Sequence, residues 1–148
     1  VMPPVKQELV DLLYDPAQWQ VTPNAREHDR RSVYLVAKRN LRLPFMEVFD
    51  QPDSLISCAR RQSSTHAPQA LEMLNGELAS DLAAAFAQRL KAEAGGNHEG
   101  QIKWAYRLAA GRQPTGAERK LALEFLQNQP LEEFALAIFN LNVFLYVD

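Results

Sequence analysis

At 148 residues the chain suits one domain that can bury roughly two-thirds of its unfolded surface, so it needs neither metal nor disulfide support. Hydrophobic and charged shares of 47% and 23% are those of an ordinary globular protein, and no apolar run approaches the roughly 20 residues that span a bilayer. A net charge of −2 excludes strong whole-surface attraction to nucleic acid, a single cysteine, Cys58, excludes an internal disulfide, and the lack of a CxxCH string excludes covalent haem attachment within the chain.

The amino end, VMPPVKQELVDLL, lacks the basic head and apolar block of a signal peptide; Val5, Leu9, Leu12 and Leu13 after Pro3-Pro4 predict a short amphipathic helix stopped at Asp15-Pro16. Residues 20–30, with Thr22-Pro23-Asn24, read as a connection. Val33, Leu35 and Ala37 alternating with Tyr34, Val36 and Lys38 favour an extended strand, and residues 43–50 a helical turn with Phe45, Val48 and Phe49 inward, closed by the turn residues Asp50-Gln51-Pro52-Asp53. After Pro68, Leu71, Leu74, Leu78, Leu82, Phe86 and Leu90 step by three or four, which predicts a helix with one buried stripe that Asn75-Gly76 can break in two.

Gly95-Gly96-Asn97-His98 reads as an exposed loop, followed by a helix over 99–110 with Ile102, Tyr106 and Ala109 on one side and Gly111 as its carboxyl-terminal cap. Thr115 and Glu118 make a capping box that should start a helix through Leu121 and Phe125. Asn128-Gln129 ends that helix, and Pro130 opens the last one, with Glu132 and Glu133 in its first turn and Phe134, Ile138, Leu141 and Leu145 as its apolar positions. These elements predict a mainly α protein, one domain over 1–148: an irregular, partly extended segment with a short helix (1–67) wrapping an antiparallel helical bundle (68–148). The start at Val1 and the end at Val147-Asp148 suggest a fragment of a longer protein.

No catalytic set is complete. His28, His66 and His98 fall in predicted loops with no second ligand at i+3 or i+4, so no metal site is predicted; Cys58 lacks an activating motif, and a small buried hydrophobe is its simpler reading. The charge is uneven. From Arg26 to Arg61 the basic residues Arg26, Arg30, Arg31, Lys38, Arg39, Arg42, Arg60 and Arg61 outnumber Glu27, Asp29, Glu47, Asp50 and Asp53 by eight to five. The pairs Arg30-Arg31, Lys38-Arg39 and Arg60-Arg61 are solvated, paired internally with the interleaved acids, or gathered for carboxylate, sulfate or phosphate groups, whose geometry the guanidinium fork matches. Internal pairing is favoured. Ser63, Ser64 and Thr65 suit capping of the Pro68 helix, and Gln69 and Asn75 suit backbone tethering or ligand contact. Trp19, Trp104 and most phenylalanines fit core packing.

The strings RRSVYLVAKRN, PFMEVFDQPD and SCARRQSSTHAPQALEMLN, the step YRLAAGRQPTGAE and the ending IFNLNVFLYVD resemble, over Asp29 to Asp148, the carboxyl-terminal PSD-type domain of unknown function in planctomycete-type, cytochrome-associated multidomain proteins. The pattern positions include Arg30, Arg31, Tyr34, Lys38, Arg39, Asn40, Asp50, Cys58, Arg61, Thr65, Pro68, Gln69, Asn75, Arg107, Gly111, Arg112, Pro114 and Tyr146, and the resemblance assigns a role to none of them. It implies a terminal module of a multidomain, extracytoplasmic protein with any haem in another domain. The leading expectation is a non-catalytic interaction or scaffold module without a cofactor of its own, whose partners are other domains of the parent or an anionic ligand. The competing one is part of an enzyme or binding module on an anionic polymer such as a sulfated glycan, with Arg31, Arg39 and Arg61 as clamp and Asp50 or Asp53 as acid or base.

Overall fold

A computed structural model describes residues 1–28, 30–39, 41–52 and 66–145, without the side chain of His66. The chain divides into two compact units, Val1–Ser64 and Thr65–Asp148. Among the described residues it is mainly helical, with eight α-helices and three single 3-10 turns.

In the first unit the predicted helix shrinks to α1, Gln7–Val10, and a 3-10 turn follows at Pro16–Gln18, capped by Asp15. A small core gathers Val10, Leu13, Trp19 and Leu41, flanked by Met2, Val5, Leu9, Val36 and Leu43. Buried Trp19 needs a partner for its indole N–H and finds it in the Pro3 carbonyl, 3.0 Å away. The amino end is tied down by backbone bonds from Thr22 to Met2 and from Val36 to Val1.

The strand expected over 33–38 does not form. Residues Ser32–Tyr34 make a 3-10 turn, with Tyr34 N–H on Arg31 O and Leu35 N–H on Ser32 O, and the nearest approach to a ladder is an isolated bridge between Lys38 and Leu41. An alternating pattern alone supplies no second strand to receive its amides, so local turn bonds satisfy them instead. The predicted turn at 43–50 appears as α2, Pro44–Val48, where Phe45 and Phe49 lie 4.8 Å apart but Phe49 is exposed rather than inward. Asp50 closes α2 in the left-handed region at φ 59, which Asp tolerates better than most residues.

The second unit holds α3 (His66–Asn75), α4 (Glu77–Ala94), α5 (His98–Ala110), α6 (Gly116–Asn128), α7 (Leu131–Phe139) and α8 (Asn142–Leu145). Short connections make α4 to α7 antiparallel neighbours, and α4 packs most extensively on α7. The predicted ends hold: Gly76 separates α3 from α4, Gly111 caps α5 at φ 66, and Thr115 and Glu118 form a complete capping box at the head of α6. The last predicted helix is interrupted at Asn140-Leu141, dividing it into α7 and α8.

The face of α4 differs in part from expectation, since Leu90 is buried and Phe86 packs on the core as predicted but the leucines before them are displaced. The core is built from Ala83, Ala87, Leu90, Ile102, Ala105, Tyr106, Ala122, Leu126, Leu131, Phe134, Ala135 and Ile138. In α4 the buried positions Ala79, Ala83 and Ala87 sit one residue past Leu78, Leu82 and Phe86, a turn of about 100° around the axis. Leu71, Leu74, Leu78 and Leu82, predicted to be buried, are 61%, 49%, 46% and 47% exposed. In α6 the same displacement buries Ala122 and Leu126 while Leu121 is 66% exposed. Small side chains let helix axes approach toward the close end of the roughly 8–10 Å range, and the alanine strip of α4 meets α7, whose Ala135 is itself fully buried.

Candidate functional site

In the first unit the predicted cations divide by partner. Arg30 donates to Glu27 Oε1 at 2.9 Å and lies 5.5 Å from the Tyr34 ring centroid. Arg42 approaches Glu47 at 3.8 Å, and Lys38 donates to the Gln18 carbonyl while its ammonium stands 5.9 Å from the Trp19 ring centroid. The guanidinium groups of Arg31 and Arg39 are exposed and make no hydrogen bond or ion pair among the described residues. His28 Nε2 is 2.7 Å from the Thr22 carbonyl, so that nitrogen carries a proton and closes the turn around the Ala25–Glu27 3-10 element. Asp50, in its left-handed turn, engages a further partner. Arg60, Arg61, Asp53, Thr65 and Cys58 lie outside the described residues.

In the second unit Gln69 is half-buried with a partner, and Asn75 donates back to Leu71 O at 3.2 Å, so its tethering is to its own helix. The best-built polar cluster lies at the α5–α6 turn. Both terminal nitrogens of Arg112 reach Glu118, at 2.8 and 2.7 Å, and the Glu118 carboxylate also accepts from Thr115 N–H at 2.7 Å. The Arg112 hydrogen bonds, outweighing desolvation and joined by those from Thr115, hold the Glu118 carboxyl at about 2. Arg112 also stands 5.7 Å from the buried Tyr106 ring, whose hydroxyl burial and then the Glu118 charge push above its ordinary range. A carboxylate held this far below neutrality carries no proton to donate, and its lone pairs are already occupied.

A shallow crevice of about 660 Å³ lies where α4 ends and α7 begins, lined by Lys91, His98, Gln101, Gln129, Pro130 and Glu132 among others. Lys91 and Glu132 close on each other across it at 2.8 Å, and that bond, more than Glu132's own backbone amide, lowers the Glu132 pKa. Gln101 is buried and donates to the Gly95 carbonyl at the end of α4. Among the described residues no three His, Cys, Asp or Glu side chains are placed to hold a metal ion.

Two ties escaped sequence reasoning. The Asn140 amide donates to Leu136 O at 2.9 Å and to Met73 O at 3.1 Å, pinning the end of α7 to α3 across 67 residues. The Lys91–Glu132 pair spans 41 residues, a distance over which no sequence pattern announces a contact. The Arg112–Glu118 pair was closer to hand: an arginine three residues before the Thr of a capping box faces the same carboxylate across the turn.

Packed helices joined by short turns define a mainly helical, bundle-forming protein class, and no helix among the described residues is long and apolar enough to cross a membrane. The chain belongs to the PSD1 family, proteins of unknown function (DUF1553), whose family model matches residues 2–126. That match takes in α1 and Trp19, which lie ahead of the stretch carrying the sequence resemblance, and stops before α7 and the Asn140–Asp148 pattern. No curated protein and no solved structure matches the chain.

Proposed function

We propose that the chain is a non-catalytic interaction or scaffold module of a larger, exported, cytochrome-associated protein, packing against other domains of its parent or against an anionic ligand. The observation that supports this reading is the state of the ionisable groups: the most perturbed carboxyl among the described residues, Glu118, is held at about 2 inside a closed fork with Arg112 rather than opened toward a cleft. Structural ion pairs also perturb pKa values, so the shift by itself is no mark of a reacting centre. Any haem is then carried by another domain, and nucleic acid is disfavoured by the weak overall charge.

One observation favours a second reading, binding or turnover of an anionic polymer such as a sulfated glycan. Arg31 and Arg39 are exposed with their guanidinium groups unengaged among the described residues, as a sulfate clamp requires. The test is titration calorimetry of the chain with the remainder of its parent protein. Arg31→Ala with Arg39→Ala, and separately Arg60→Ala with Arg61→Ala, should weaken that complex by about tenfold. Full binding and full stability in both double variants would sink the interaction reading, while retention on immobilised heparin that depends on Arg31 and Arg39 would move the assignment to the glycan.

A further inference from the structure

Four of the leucines displaced from the core of the second unit fall in one stretch. Leu71 and Leu74 of α3 and Leu78 and Leu82 of α4 are each about half exposed, on helices joined by the single residue Gly76. Folding uses only part of their bulk there. The packing strip of α4 is Ala79, Ala83, Ala87 and Leu90, and a polar side chain at 78 or 82 would leave that strip intact. Large apolar side chains kept in water at helical spacing form a contact surface when they cluster; scattered singly they would need no explanation.

Size and charge identify what fits. Four half-exposed leucines present on the order of 300–400 Å², the scale of a functional patch on a monomer. That falls short of the roughly 800 Å² per partner in a stable dimer, so a single amphipathic segment suits it better than a second copy. Residues 67–88 carry Glu72, Glu77 and Asp81 and no Lys, Arg or His, although Glu77 already has a partner and Arg89 follows directly. The Asp81 carboxylate is exposed and makes no hydrogen bond or ion pair among the described residues. An acid-flanked leucine face repels acidic partners and anionic lipid and attracts basic ones.

We propose that Leu71, Leu74, Leu78 and Leu82 form a docking face for a basic amphipathic helix supplied by a partner polypeptide, its aliphatic side on the leucines and its lysines or arginines against the acidic flank around Asp81. The spacing of three in α3 (Leu71, Leu74) and of four in α4 (Leu78, Leu82), on either side of the break at Gly76, is that at which one helix reads another in a groove. This inference deepens the interaction reading, on which it rests, by naming a surface and the chemistry of its occupant.

Fluorescence anisotropy tests it with the full chain and a labelled synthetic peptide of leucine and lysine patterned as an amphipathic helix, against a counterpart with glutamate for lysine. The lysine peptide should bind at least about tenfold more tightly than the glutamate one, and added salt should weaken it. Leu78→Ser with Leu82→Ser should cost at least about fivefold and Asp81→Lys about threefold, with helix content kept and the serine variant still fully folded at the assay temperature despite a lower unfolding midpoint. Equal binding to the serine variant, or preference for the glutamate peptide, would overturn the proposal. So would slow thiol labelling of Leu82→Cys in a Cys58→Ser background, which would mean the chain covers this face itself. Dimerisation that the serine variant abolishes would assign the face to a second copy and overturn it equally. If the peptide fails while the parent remainder still binds through Arg31 and Arg39, the docking face falls and the interaction reading stands.

Discussion

Neutralising Glu118 is the most informative perturbation of the α5–α6 turn, because one carboxylate there serves two arginine nitrogens and a backbone amide while its own N–H bonds Thr115 Oγ1 at 3.3 Å. The difference between its ordinary value of 4.5 and about 2 corresponds to ~3 kcal/mol if the pair were shielded from water. The side chains of Arg112 and Glu118 are 43% and 27% exposed, so solvent screening reduces the ion pair to about 1 kcal/mol, while a Gln oxygen at 118 can still accept from Thr115 N–H and keep the capping box. Glu118→Gln should therefore destabilise the protein by about 1 kcal/mol near neutral pH, read as a lower urea midpoint by far-ultraviolet circular dichroism. The folded pKa is depressed, so this stability is present above the unfolded value of 4.5 and is lost as pH falls through about 2. The gap between wild type and Glu118→Gln should narrow across that window. Arg112→Lys, which keeps the charge but loses the fork, should sit between the two. An unchanged midpoint at neutral pH, or a gap that is the same at the acidic end, would refute the role assigned to the pair.

Gly76 adopts φ −67 and ψ 139, open to any residue, yet an added Cβ would stand 2.4 Å from the Glu72 carbonyl oxygen; Gly76→Ala should cost about 1–3 kcal/mol in a thermal melt, and a neutral result would mean the last turn of α3 yields freely. Ala87→Leu should overpack the fully buried strip of α4 by about 1–3 kcal/mol while Leu82→Ser, at a half-exposed site, should cost about 1 kcal/mol, and the opposite ranking of urea midpoints would return the leucines to the core. Asn140→Ala removes two part-buried bonds and should cost about 1–2 kcal/mol, with faster amide exchange in α3 than in α5; uniform exchange would show that the tie to Met73 carries no local stability.

Where helices start and stop was legible because caps are local. Thr115 with Glu118, Gly111 in the left-handed region and Pro130 ahead of α7 each act on amides or carbonyls a few residues away, so the sequence around them contains the whole interaction. The break at Gly76 was legible in place but not in cause: space beside Glu72, rather than a left-handed backbone, excludes a side chain. The alternation over 33–38 misled because a strand is completed only by a partner strand, and backbone turn bonds settled the segment first. The pairs Arg30–Glu27 and Arg42–Glu47 follow the interleaving of charge in one segment, whereas Arg31 and Arg39 stand apart from it. The phase of α4 was legible only in part: Leu90 is buried and Phe86 packs against the core as the stripe predicts, whereas Leu78 and Leu82 are displaced from it. Spacing by hydropathy ranks leucine above alanine, but the approach of two helices is limited by the bulk at the seam, and a seam of Ala83, Ala87 and Ala135 allows denser packing than one of leucines. The one-residue rotation that results leaves apolar side chains in water at Leu78, Leu82 and Leu121. An exposed leucine on a helix whose neighbour packs on alanine is thus a residue whose bulk the fold uses only in part, and that is the physical ground for seeking its use in a partner.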